Sequence, residues 1–155
     1  MWLRRIAESW LLCWQQLNRA HIADATANKL VADGVKKVGL LGTRFTMEQD
    51  FYKSRLVDKF GIDVVVPNTS DQTVVHIIYD ELCRGVIRSE SREQYLNIVN
   101  GLHEQGAEAA ILGCTEIALL IQQEHTRVPL YDTTGIHAAQ AVQAVQLAIS
   151  DDMAI

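Results

Sequence analysis

The stretch Ala109-Ala110-Ile111-Leu112-Gly113-Cys114-Thr115-Glu116 changes character midway. A short apolar run of strand length gives way, through a glycine, to three polar side chains. The same passage recurs twice. Lys37-Val38-Gly39-Leu40-Leu41 runs out into Gly42-Thr43-Arg44-Phe45-Thr46, and Val128-Pro129-Leu130-Tyr131 runs out into Asp132-Thr133-Thr134. Ile62-Asp63-Val64-Val65-Val66 supplies a fourth apolar run. The intervening segments carry helical spacing. A helix is predicted over 24–33 and ends at Gly34, a favourable C-terminal cap. Thr46-Met47-Glu48-Gln49 has the pattern of a capping box and opens a helix that ends at Gly61. Amphipathic helices over 71–84 and 92–105 end at Gly85 and Gly106. Another helix follows Cys114, and a last one, rich in Ala and Gln, covers 136–149. Strands alternating with helices predict an α/β fold, a four-stranded, mainly parallel sheet flanked by helices. Ligands of such sheets sit outside the carboxyl ends of the strands. The three polar segments are therefore expected to converge on one rim, with Thr43, Cys114 and Thr133 close together.

Composition narrows the function classes. A chain of 155 residues fits one domain, able to bury roughly two thirds of its unfolded surface. Apolar residues make up 48%, enough for a core. The net charge is −5 and no Lys/Arg cluster exceeds a pair, which argues against nucleic acid. No apolar run approaches membrane-spanning length, so no membrane contact is expected. Cys13, Cys83 and Cys114 form no CxxC pair and have no His-x-x-x-His nearby, so no metal is expected. Arg4 and Arg5 precede Trp10-Leu11-Leu12 as in a leader, but Glu8 and Ser9 interrupt the run and no small-x-small site follows. Export is thus not expected, and three reduced thiols fit a cytoplasmic protein. Residues 2–17 carry Trp2, Ile6, Trp10, Cys13, Trp14 and Leu17 at helical spacing and contain all three tryptophans. The chain accordingly divides into an atypical N-terminal helix over 1–20, an α/β domain over 21–150 and a tail over 151–155.

Cys114 is the leading candidate for chemistry. Backbone N–H groups at a helix start favour thiolate over thiol. Gly113 removes a side chain where a ligand would approach, and Thr115 with the first N–H groups of the helix could hold a carboxylate. Read from position alone, Cys114 is either a reactive thiol or a buried structural cysteine. Thr43 and Thr46 are candidate anion donors, and Thr46 also reads as a helix cap. Glu116 either complements the helix dipole or acts on an ammonium group or on Cys114. Arg44 could pair with a carboxylate but reads first as a surface residue. Cys83 and Cys13 read as structural. His76 and His103 read as surface or packing residues, His21 is the one histidine near a motif of interest, and Asp132 reads as a helix cap.

Ile111-Leu112-Gly113-Cys114-Thr115-Glu116-Ile117 resembles the C-terminal signature of the aspartate/glutamate racemase superfamily. Leu40-Leu41-Gly42-Thr43-Arg44-Phe45-Thr46-Met47-Glu48 and His21-Ile22-Ala23-Asp24-Ala25-Thr26 resemble its aspartate-racemase branch. Glutamate racemases typically have His in place of Glu116. The resemblance runs from His21 to about Ser150. It implies two similar α/β domains with the site between them, each supplying one cysteine, and makes Cys114 the second domain's catalytic residue. One thiolate removes the α-proton of a small acidic amino acid and the opposing thiol returns a proton to the other face, with no cofactor. Thr43, Thr46, Gly113, Thr115 and Glu116 are the candidate substrate-binding residues.

The resemblance also has a gap. The family's opening strand and Gly-rich loop, and its first-domain Cys-Asn-Thr motif, do not occur in this sequence, and Cys13 is followed by Trp14-Gln15. The first domain is therefore expected to be missing and activity impaired, with exposed apolar surface favouring a homo-oligomer. Alternatives are a non-catalytic remnant or binding domain, or an enzyme like the hydantoin racemases and maleate isomerases. A dinucleotide site is disfavoured, since Gly39 and Gly42 make no GxGxxG pattern.

Overall fold

The computed structural model describes residues 22–48, 50–68 and 73–153. The helix expected over 2–17 and the histidine at position 21 lie outside them. In chain order the elements are α1 (Ile22–Ala32), β1 (Lys37–Leu41), α2 (Arg44–Glu48), α3 (Asp50–Ser54, continued by a π-helical turn over Arg55–Lys59), β2 (Asp63–Val65), and α4. Here α4 is a composite of Thr73–His76, a π-helical turn over Ile77–Glu81 and a 3-10 turn over Leu82–Arg84. Then come α5 (Ser89–Glu104), β3 (Ala109–Leu112), α6 (Ile117–Leu120), β4 (Leu130–Asp132) and α7 (Thr133–Met153).

The four strands form one sheet in the order β2-β1-β3-β4, and every pairing is parallel. From β1 the chain goes first to β2 on one side and then crosses to β3 on the other. The gap between the ends of β1 and β3 is thus the topological switch point, where such sheets bind ligands. Register fixes the level of the rim. Leu41 pairs with Leu112, and Leu112 with Asp132. The residues that follow, Gly42-Thr43, Gly113-Cys114 and Thr133, leave the sheet at one height.

The central strands are buried on both faces, which explains their unbroken apolar runs. Leu40, Val38, Ala109 and Ile111 pack with Leu30, Tyr52 and Leu56 in one cluster. Leu41, Ala110 and Leu112 pack with Ile78, Tyr95, Val99 and Leu102 in the other. Gly39 owes its size to this second layer, because a Cβ there would come within 2.8 Å of Leu102 Cδ1.

Most helix stops match expectation. Gly34, Gly61, Gly85 and Gly106 all take positive φ, between 66° and 92°. The starts differ more. The capping box predicted at Thr46 does not form. The helix begins at Arg44, so Thr43 takes the cap position, and its Oγ1 accepts from Thr46 N–H at 3.3 Å. Glu48 instead meets Arg44 at 3.5 Å on the exposed face. The helix after Cys114 is only four residues long and begins three residues beyond the cysteine. The helix predicted over 136–149 begins earlier, at Thr133, where Asp132 Oδ1 accepts from Thr134 N–H at 3.0 Å, as expected of a cap.

The Ala23-Asp24-Ala25-Thr26 motif finds its role here. Ala23, Ala27 and Leu30 turn into the core. Asp24 is buried, and its carboxylate takes Arg55 Nε at 2.5 Å, Arg55 Nη2 at 2.9 Å and Lys59 Nζ at 2.7 Å. These bonds fasten α1 to the π-helical end of α3. The Arg55 hydrogen bond, aided by Lys59 and working against burial, holds the Asp24 carboxyl well below its ordinary 3.8. A depressed carboxyl pKa stabilises the fold above the unfolded value and loses that contribution as pH falls through it. Asp24→Asn is therefore expected to cost about 2 kcal/mol at neutral pH. Urea denaturation of the parent and variant should show the gap closing as pH is lowered below the ordinary carboxylate range.

Candidate active site

The rim is assembled by close backbone approach. Gly113 N–H donates to Leu41 O at 2.7 Å, which carries the β1–β3 pairing past the end of the strand. A Cβ at Gly113 would sit 2.9 Å from that same oxygen and 3.1 Å from Thr46 Cγ2. Thr46 also covers Gly42, with its Cβ 3.0 Å from where a side-chain carbon would stand. The Thr43 and Thr46 hydroxyls lie 3.1 Å apart. Thr133 Oγ1 donates to Leu112 O at 3.0 Å from the β4 side. Thr43, Thr46, Gly113 and Thr133 are thus brought together around the root of Cys114, as the three polar segments implied.

Cys114 is half-buried and unoxidised. Its Sγ donates to Glu116 Oε2 at 2.8 Å, and Thr115 Oγ1 donates to the same oxygen at 3.1 Å. Glu116 N–H in turn donates to the sulfur. The expected thiolate does not result. Burial, reinforced by the Glu116 carboxylate, pushes the Cys114 thiol up to about 12. Two physical reasons defeat the helix-start argument. A helix of four residues has little dipole, and its first residue is Ile117, away from the sulfur. A carboxylate directly beside the sulfur opposes a second negative charge. The same contact, with the thiol as donor, holds the Glu116 carboxyl below its ordinary value. At neutral pH the pair is a thiol hydrogen-bonded to a carboxylate.

Other candidates fall outside this cluster. Arg44 is exposed and pairs with Glu48. His76 pairs with Asp80 at 2.5 Å on the surface, and His103 Nδ1 lies 2.7 Å from Ala107 O. Cys83, expected as structural, is exposed, in the 3-10 turn of Leu82–Arg84. A negative charge on Cys83 would raise the Cys114 pKa further, which makes Cys83 an electrostatic neighbour of the site. Tyr95 is another unforeseen neighbour. Fully buried on α5, it donates to Val74 O at 3.0 Å, and burial followed by the charge of Cys114 pushes its pKa up. Only its place on an amphipathic helix was visible in sequence. Phe45 and Leu119, on segments that leave the rim, are 67% and 59% exposed, a large apolar exposure for such side chains. Among the described residues no group of three His, Cys, Asp or Glu could hold a metal ion. No described helix is long and apolar enough to cross a membrane.

The fold is that of a parallel α/β domain, and comparison with known proteins gives its family. The Asp/Glu/Hydantoin racemase domain matches residues 20–141, and the chain belongs to that family. A candidate Asp/Glu racemase from Yersinia pestis is 50% identical and superimposes with a TM-score of 0.76, over 81% of this chain and 55% of that one. An aspartate racemase homologue from Pyrococcus horikoshii is 37% identical with a TM-score of 0.72, over 82% of this chain and 54% of that one. The aspartate racemase of Picrophilus torridus, at 24% identity and a TM-score of 0.60, has the same fold over 83% of this chain and 52% of its own. An uncharacterized protein from Pectobacterium carotovorum is 31% identical over 104 residues, 66% of this chain and 67% of that protein. The chain spans about half the length of the solved structures it matches.

Because a side chain at Gly113 would strike the Leu41 carbonyl, Gly113→Ala should destabilise the chain by about 1–3 kcal/mol through forced backbone movement. Thermal denaturation measures the loss. Maleimide labelling of Cys114 in the folded variant should quicken as Thr46 is displaced from the rim. A melting temperature equal to the parent's would show that the approach is not tight.

Proposed function

We propose that this chain supplies one of two opposed acid–base groups in a cofactor-independent racemase for small acidic amino acids, and that Cys114 is that group. The observation that carries this is the half-buried Cys114 thiol at the β1–β3 switch point, in hydrogen-bond contact with Glu116. Family membership supports the reaction class, and the 37% identical aspartate racemase homologue supports an acidic substrate.

Racemisation needs an acid on one face of the α-carbon and a base on the other. Held as a thiol, Cys114 is the acid that returns a proton to a carbanion formed by a base on the far side. In the reverse direction its thiolate takes the α-proton itself, which is the step that exchange reads. The Thr43 and Thr46 hydroxyls, 3.1 Å apart on the same rim, and the Thr115 hydroxyl beside Glu116 are assigned to orienting the substrate carboxylates. An α-proton beside a carboxylate is weakly acidic, so positioning and exclusion of water carry the rate. The opposing base comes from outside the residues that form this rim. The family also contains hydantoin racemases, and a maleate isomerase-type reaction would use a cysteine at the same strand end. Glu116 favours the amino-acid reading, because its carboxylate suits an ammonium.

Two assays test the proposal. In deuterated water the 155-residue chain should exchange the α-proton of aspartate slowly and on one enantiomer, without appreciable interconversion of L- and D-aspartate on a chiral column. Cys114→Ala should reduce that exchange by about 100-fold or more. Interconversion that disappears in Cys114→Ala would mean that a second subunit or residue completes the pair. Exchange that survives Cys114→Ala would remove Cys114 from the chemistry.

A further inference from the structure

A thiol with a pKa near 12 serves as an acid but not as a base, yet racemisation runs in both directions. Whatever turns the acid into a base must act on the group that holds the proton in place. That group is Glu116, whose Oε2 accepts from Cys114 Sγ at 2.8 Å and from Thr115 Oγ1 at 3.1 Å. Glu116 is partly exposed, so an arriving ligand can reach it. Its carboxylate is ionised, because the donated thiol proton holds it below its ordinary value.

We propose that Glu116 binds the α-ammonium of the substrate, and that this capture releases Cys114 from its carboxylate and turns it into a base. The inference rests on the acid–base role proposed for Cys114 and adds a substrate class to it. The site takes α-amino acids with a free, charged ammonium and rejects hydantoins and N-acylated amino acids, which have none.

The electrostatics follow from the contacts. With an ammonium on Glu116, the carboxylate charge beside the sulfur is neutralised and the thiol loses its acceptor. Glu116 N–H continues to donate to the sulfur, and the fraction present as thiolate rises. The S–H bond breaks with its electron pair left on sulfur, and the proton passes to water. The thiolate then takes the α-proton, and the C–H electron pair stays with the α-carbon. Other groups bearing on the sulfur are Cys83 from the turn ending α4 and Tyr95 from α5, and neither a thiol nor a phenol can supply a positive charge. Arg92 of α5 is engaged by its Nε with Leu120 O at 2.8 Å. Among the described residues none brings a cation to the sulfur, and the ligand is the source proposed.

The test uses the full chain with Cys13→Ser and Cys83→Ser, so that Cys114 alone reports. Thiolate is read by ultraviolet difference absorbance against the same chain carrying Cys114→Ala, across a pH series, with circular dichroism confirming the fold. Glu116→Gln should lower the midpoint by about one unit or more, the size of shift that one adjacent charge produces. Well below the midpoint, each unit raises the thiolate fraction about tenfold. At pH 8, where its ammonium is charged, saturating L-aspartate should raise the rate at which Cys114 of the parent is alkylated by about tenfold and leave that of Glu116→Gln unmoved. Succinate and N-acetylaspartate, which lack the ammonium, should move neither. The proposal is overturned if Glu116→Gln titrates like the parent, if aspartate leaves the parent unchanged, or if succinate acts as aspartate does. Loss of α-proton exchange in Cys114→Ala is measured separately. Exchange that is independent of Cys114 would strike the acid–base reading while leaving ammonium capture by Glu116 standing.

Discussion

The backbone hydrogen bond from Gly113 to Leu41 O is the constraint around which the rim is organised. At 2.7 Å it draws the chain after β3 onto the end of β1 more closely than any side chain at Gly113 would allow. Three consequences follow. Thr46 closes over the missing side chain, Thr43 and Thr46 come within 3.1 Å of one another, and the next residue, Cys114, starts from a fixed point. The third strand joins through Thr133, which bonds to the carbonyl just before Gly113. Threonines that read as anion donors in the sequence therefore also brace the loop that carries the cysteine.

Much of this was legible in the chain because parallel sheets leave strong signals. Strands buried on both faces must be apolar throughout, as Leu40-Leu41 and Ala109 to Leu112 are. Glycines that end helices at positive φ mark the stops, and all four that were singled out do so. Helix starts were harder to read. A threonine with a glutamine three residues later, Thr46 and Gln49, satisfied a pattern, but an equally good cap at Thr43 came earlier and took the position. Capping residues compete, and sequence does not reveal the winner.

The candidate site was legible in its residues but not in its charge state. Position after a strand pointed to Cys114 and its neighbours. The expected thiolate rested on a helix that turned out to be a single short turn, and it gave little weight to the residue two places on. Side-chain contact between Cys114 and Glu116 depends on how the backbone turns between them, and no periodicity encodes that. Cys83 shows the same limit from the other direction, since it lies where the winding changes from π to 3-10 at the end of α4, which helical spacing does not encode.

Holding Cys114 as a thiol has a further consequence, for the durability of the chain. Oxidants attack sulfur as thiolate, and progress to sulfinic and sulfonic acids is irreversible for most proteins. A sulfur kept protonated by burial and an adjacent carboxylate reacts slowly with peroxides, although it sits where small molecules must reach it. Cys83 is exposed and lacks that shelter. Of the two described cysteines, oxidative damage during storage or stress should therefore fall on Cys83 before Cys114.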